Sequence, residues 1–204
     1  MKNYLKGKPI TDATMWQYLN EKFNNPDLIE IQRMKVCEGV PALLQNDYGL
    51  DGDCTVTSMT CLLNFIHGTK IQLAYDMVEH IDMQYGYDGV RGTNPFLINK
   101  ILRKAEFRLD VVPTVWTVGY GKGIGYNFET IVRSIKKNHP MILSMPTDGR
   151  GYYTNHSVTV VGYVEYRINK KRQRFVMLHD NWHKEVVYLD YELLSLFSSL
   201  NSYL

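Results

Sequence analysis

The chain has 204 residues, enough for one domain or for two small lobes sharing a cleft, and too few for two independent mid-sized domains. A composition of 45% hydrophobic, 22% charged and 12% aromatic residues excludes a disordered, collagen-like or coiled-coil chain. Lys and Arg number 23 against 21 Asp and Glu, so the net charge of +2 gives no electrostatic reason to expect nucleic acid or an anionic membrane as partner.

In chain order, Met15 to Phe23 predicts a helix closed by the turn formers Asn24, Asn25 and Pro26, and residues 1–44 read as a lead-in packed on the main body. MKNYLKGKPITDATMW lacks the apolar core of a signal peptide, and nothing approaches the ~18 apolar residues of a membrane span. A soluble protein is expected, secreted if a leader has been removed. Gln45 to Asp53, QNDYGLDGD, is polar and turn-rich. After it Val56, Met59, Leu62, Leu63 and Ile66 fall on helical spacing with Gly68 as the stop, which places Cys54 at a helix N-terminus. Two further helical patterns, Lys70 to Gln84 and Asn94 to Phe107, complete a helical lobe over 45–110.

From 111 to 204 the pattern changes to short β-branched and apolar runs, VVPTVWTV, MILSM, SVTVVGYV, RFVMLHD and VVYL, with one helix from Phe128 to Lys137. This predicts a sheet lobe, with INKKRQR as a charged hairpin tip. Helices first and mostly antiparallel strands after argue for an α+β fold in a single domain over 1–204. GYGKGIG, from Gly119 to Gly125, has no Ser or Thr after its Lys and reads as a flexible loop rather than a phosphate cradle.

Cys37, Cys54 and Cys61 cannot all pair within one chain, so at least one thiol is free. Cys61 lies within an apolar helix and reads as a buried small hydrophobe. Cys54 differs: a helix N-terminus offers a positive dipole end and unpaired N–H groups, both of which favour a thiolate. A nucleophilic thiol needs a base, and the base an orienting partner. His156 enters its strand from the turn GRGYYTN, and His179, Asp180, Asn181, Trp182 and His183 close the next strand. His179 and His183 sit on a strand rather than one helix face, so no metal is expected.

Four of these features, taken in order, resemble the papain-like cysteine peptidases, and their staphopain-like and bacteriocin-leader-processing bacterial branches most of all. They are Gln45, Cys54 opening a long helix, the strand NHSVTVVGY from Asn155 to Tyr163, and Asp180-Asn181-Trp182. The resemblance covers Gln45 to Trp182. It implies a papain-like two-lobe fold and peptide-bond hydrolysis by Cys54, His156 and Asp180. Gln45 with the Cys54 N–H would form the oxyanion hole, Asn46 being the substitute donor, and Trp182 and Asn181 would support the histidine. For Gln45 to face Cys54, residues 48–52 must loop outward, as Gly49 and Gly52 allow. The expected partner is a peptide or protein substrate, with a protein inhibitor as a further one and no cofactor. Acyl transfer to an amine, as in transglutaminase-like enzymes, and a non-catalytic binding module with a relic triad are the alternatives.

Overall fold

The computed structural model describes residues 9–47, 53–89, 92–146, 153 and 155–204. The elements are α1 (Asp12–Phe23), β1 (Ile29–Val36), α2 (Cys54–His67), α3 (Ile71–Tyr85), α4 (Ile98–Arg108), β2 (Trp116–Tyr120), α5 (Phe128–Lys136), β3 (Met141–Met145), β4 (His156–Ile168), β5 (Lys171–His179), β6 (Val187–Asp190) and β7 (Ser199–Tyr203). The strands form one antiparallel sheet in the order β2-β7-β3-β4-β5-β6. β4 is long enough to pair with β3 through its first residues and with β1 through its last ones.

Alternation along the strands assigns each face of the sheet its cover. On one face Met141, Leu143, Val158, Val160, Val176 and Leu178 pack with Phe128, Ile131, Val132 and Ile135 of α5. α5 earns its amphipathic register from the start, where the Asn127 side chain accepts the Thr130 N–H at 3.0 Å and Thr130 reaches back in a capping box. On the other face Val161, Val164, Phe175 and Met177 receive Met15, Tyr18 and Leu19 of α1. Ile142 and Trp116, further along that face, join a separate cluster made by α2, α3 and α4, with Met59, Leu62, Leu63, Val78, Ile81, Ile101 and Leu102 at its centre.

The helices match the sequence pattern closely, and Gly68 ends α2 in the left-handed conformation at φ 64°. The hairpin between β4 and β5 turns on Asn169 and Lys170, both at positive φ, as a type I′ turn requires. The strands depart from the pattern in three places. β1 lies inside the expected lead-in, and β7 lies in the C-terminal stretch where no strand was expected, yet β7 sits between β2 and β3, next to the edge strand β2. VVPTVWTV is strand only from Trp116 onward. At Gly162, where β4 bulges in its pairing with β5, a Cβ would stand 2.7 Å from the Lys35 carbonyl oxygen of β1, so this close approach needs glycine.

Candidate active site

Cys54 is the first residue of α2 and half-buried, while Cys37 and Cys61 are buried, and all three are free thiols. The first turn of α2 is fixed against the sheet by hydroxyls and one amide. Thr55 Oγ1 donates to Ser157 Oγ at 2.9 Å, Ser144 and Ser157 hydroxyls lie 3.0 Å apart, and Ser58 Oγ donates to the Cys54 carbonyl at 2.9 Å. Asn181 Nδ2 lies between these groups, 2.9 Å from the Cys54 carbonyl, 2.9 Å from Ser58 Oγ and 3.0 Å from the Ser157 carbonyl. Asn181 adopts φ 66°, a left-handed conformation that Asn tolerates better than most residues.

His156 opens β4 and is buried. Its Nε2 lies 2.8 Å from the main-chain carbonyl oxygen of Asp180. A carbonyl oxygen only accepts, so Nε2 carries the proton and Nδ1 keeps the lone pair in the neutral ring. Trp182 stacks over the imidazole at 4.0 Å between centroids and Tyr153 stacks at 5.4 Å. Sequence reasoning expected the Asp180 carboxylate at the imidazole, and the structure puts the Asp180 backbone there instead. The carboxylate, wholly buried, is committed elsewhere: Oδ1 accepts the N–H groups of Trp182 and His183 at 3.1 and 2.9 Å, and Oδ2 accepts Tyr153 Oη at 2.8 Å and faces His183 Nδ1 at 2.8 Å. It thereby holds the shape of the turn that presents both the carbonyl and Trp182.

Burial pushes the Cys54 thiol above its ordinary value, partly offset by the N–H groups of Ser157, Thr55 and Cys54 and by the Thr55 hydroxyl. Burial likewise lowers His156, against an opposing pull from the Asp180 carbonyl and charge. Burial thus opposes the thiolate that the helix N-terminus favours. Cys37 is pushed up to about 11 and Cys61 to about 12, both by burial, and Cys61 Sγ donates to the Pro41 carbonyl at 3.1 Å.

Gln45 occupies a short 3₁₀ turn, Gln45–Asp47, whose N–H donates to the Asn181 carbonyl at 3.0 Å. Its Oε1 is buried with no hydrogen-bond partner among the described residues, whereas Asn46 is exposed. The expected outward loop of 48–52 lies outside the described residues, as does most of the turn GRGYYTN. Gln45, Cys54, His156 and Trp182 all line one cleft of about 1170 Å³. Its further wall is aromatic, with Tyr85, Tyr87, Phe96, Tyr120 and Phe197. That wall comes from separate segments and carries no sequence spacing by which it could be found. In the Gly119–Gly125 loop, Lys122 Nζ turns back to the Tyr191 carbonyl at 3.0 Å, and His179 Nδ1 lies 3.1 Å from the Pro41 carbonyl.

A thiol on a helix N-terminus and a histidine on the neighbouring sheet, lining one cleft of an α+β fold, define a papain-like arrangement. The chain belongs to the Peptidase_C39 like family, which matches residues 37–203, a papain-like cysteine peptidase branch. A crystal structure described as a C39-like peptidase from Bacillus anthracis superposes with a TM-score of 0.56 at 16% identity, over 85% of this chain and 98% of that one. That likeness speaks to the fold. No curated protein matches the chain. Among the described residues, no helix is long and apolar enough to cross a membrane.

Proposed function

We propose that the protein hydrolyses peptide bonds with Cys54 as nucleophile and His156 as general base and acid. The observation that carries the reading is the shared cleft of Cys54 and His156, with the imidazole held by the Asp180 carbonyl in the tautomer whose Nδ1 accepts a proton. The Cys54 thiol gives its proton to Nδ1, and the sulfur attacks the scissile carbonyl carbon as the thiolate, with His156 holding the ion pair. The tetrahedral intermediate collapses by breaking the C–N bond, and the imidazolium gives its proton to the leaving amine. Water then attacks the thioester, with His156 again taking a proton, and releases the acid and the free thiol. The Cys54 N–H and the Gln45 side-chain amide are the oxyanion donors, each contributing about 3 kcal/mol in a well-formed hole. Asp180 positions His156 through its carbonyl, Trp182 shields that hydrogen bond, and Asn181 fixes the cysteine helix.

The test is digestion of an unfolded protein such as reduced casein, with fragments read by mass spectrometry beside a Cys54→Ala control. Fragments made by the wild type alone support the reading. Intact casein after incubation with protein whose Cys54 still takes iodoacetamide would overturn it in favour of a binding module. Products carrying an added amine in place of a new carboxylate would replace hydrolysis with acyl transfer.

A further inference from the structure

α4 is amphipathic in an unusual way. Its inner face, Ile98, Ile101, Leu102 and Ala105, is fully buried in the helical cluster. Its outer face holds a second groove, of about 610 Å³, lined by Phe96, Lys100, Arg103, Lys104, Phe107 and Arg108. Phe96 is 68% exposed and Phe107 84% exposed, so an aromatic ring stands at each end of a row of cations. Lys100 Nζ and Lys104 Nζ lie 5.5 and 4.4 Å from the Tyr85 ring centroid, which gathers them onto one side of the helix. Among the described residues none of these cations forms an ion pair with a carboxylate. Arg103 Nη2 donates to the Trp116 carbonyl at 3.5 Å. In a chain whose net charge is only +2, this concentration of positive charge is a local segregation and not a property of the whole surface.

The groove adjoins the cleft at Phe96. Phe96 lines both, and its ring packs on Tyr120 at 4.7 Å between centroids. A chain leaving the cysteine along the aromatic wall passes Phe96 and meets the cations. We propose that the α4 groove is a secondary binding site for an acidic peptide segment with apolar residues at its two ends, the continuation of a substrate held in the cleft. This rests on the peptidase reading, which supplies both the peptide and its place in the cleft. Eleven positions separate Phe96 from Phe107, roughly 16 Å along a helix, which an extended peptide spans in about five residues. The matching segment has an apolar residue at each end and carboxylates between, the rings taking the apolar ends and the cations the charges. Two exposed rings alone are ordinary on a protein surface. What sets this pair apart is a common groove, cations between them that have no carboxylate partner among the described residues, and the shared Phe96 that joins the groove to the cleft.

The experiment measures binding rather than cleavage, so its outcome is independent of whether the protein is a peptidase. Fluorescein-labelled Leu-Glu-Glu-Glu-Glu-Phe is titrated against the Cys54→Ala protein and followed by anisotropy, beside the same peptide with Gln for each Glu. The acidic peptide is expected to bind at least about tenfold more tightly than the Gln peptide, and to weaken as salt rises. The Lys100→Glu/Lys104→Glu variant should lose that preference with an unchanged circular dichroism spectrum, and Phe107→Ala should weaken both peptides alike. If the double variant does not fold, Lys104→Gln with a partial loss supports the site. Equal binding of the two peptides, or undiminished binding by folded charge variants, overturns it. So does co-sedimentation of the protein with phosphatidylglycerol vesicles without peptide binding, which would make this a membrane-facing surface.

Discussion

The helical cluster and the sheet meet in two different ways within one seam. Away from the cleft, α2 to α4 bury Met59, Leu62, Ile81 and Ile101 among themselves and against Trp116 and Ile142 of the sheet. At the cleft, the first turn of α2 meets β4 and the 180–183 turn through Thr55, Ser58, Ser144, Ser157 and Asn181. Apolar burial is strong and tolerant of small shifts, whereas hydrogen bonds fix distance and direction. The apolar part of the seam thus supplies most of the stability, and the polar part sets where the cysteine stands relative to the histidine.

The sharpest break in that comparison comes from the reacting groups themselves. Cys54→Ala and His156→Ala should each lower kcat/KM for casein fragment release by about 10³-fold or more. Cys54→Ala should leave Tm near the wild-type value, whereas His156→Ala, which strands the Asp180 carbonyl and empties the place beneath Trp182, should lower it. In the same experiment limiting iodoacetamide should label Cys54 ahead of Cys37 and Cys61, since Cys54 lines the cleft while the other two thiols are buried. Next in size, Gln45→Ala should reduce kcat by about 10²-fold with little change in KM, because a preorganised donor acts on the transition state. A near-normal kcat would remove Gln45 from the oxyanion hole.

A matched pair of destabilised variants sharpens the comparison further. Met59→Ala opens a cavity in the apolar seam at a cost of about 2–5 kcal/mol. Asn181→Ala strands the acceptors it now serves and costs about 1–3 kcal/mol. Urea midpoints should fall for both. The rate at which Cys54 is alkylated, measured well below either midpoint, should change only for Asn181→Ala. A changed rate for Met59→Ala as well would show that the two parts of the seam do not divide their roles.

The same division explains how much was legible beforehand. Val56, Met59, Leu62 and Leu63 repeat on a helical period and Gly68 ends it, so α2 and the placement of Cys54 follow from local sequence. β7, Ser199–Tyr203, reads as polar, and it becomes a sheet strand only because β2 and β3 lie on either side of it and bury Ser199 and Asn201. In β1 the burial alternates irregularly around the bulge between Ile31 and Arg33, which hides the strand period. Within the site, Cys54 and His156 are marked by their positions at the starts of a helix and a strand. The partner of His156 is a main-chain carbonyl, which every residue possesses, so no side-chain pattern could reveal that Asp180 acts through its backbone. The Asn181 bridge was equally hidden, since it depends on a left-handed φ at one residue.

The smallest expected effect concerns two buried carboxylates, one on each side of the seam. Glu165, on β4, would be raised by burial, but hydrogen bonds and charge from Arg174 and Arg33 take it below its ordinary value. Asp82, on α3, has Thr93 Oγ1 donating to Oδ2 at 2.6 Å and an Oδ1 that is buried with no partner among the described residues, and burial raises it from 3.8 to about 6. The signs are opposite. A depressed carboxyl adds stability above the unfolded pKa that is lost as pH falls through the folded one. A raised carboxyl holds its proton in the native state after the unfolded chain has released it, so stability falls as pH rises from about 4 to about 6. Asp82→Asn keeps an oxygen for Thr93 and removes the charge. It should therefore raise stability near pH 8 by about 1–2 kcal/mol, after allowance for solvent screening, and by much less near pH 4. Glu165→Gln should do the reverse, lowering stability near pH 8 and converging with the wild type in acid. Urea midpoints for the two variants at both pH values read this directly, and an Asp82→Asn effect that is the same at pH 4 and pH 8 would show that its carboxyl is ionised alike in the native and unfolded chains.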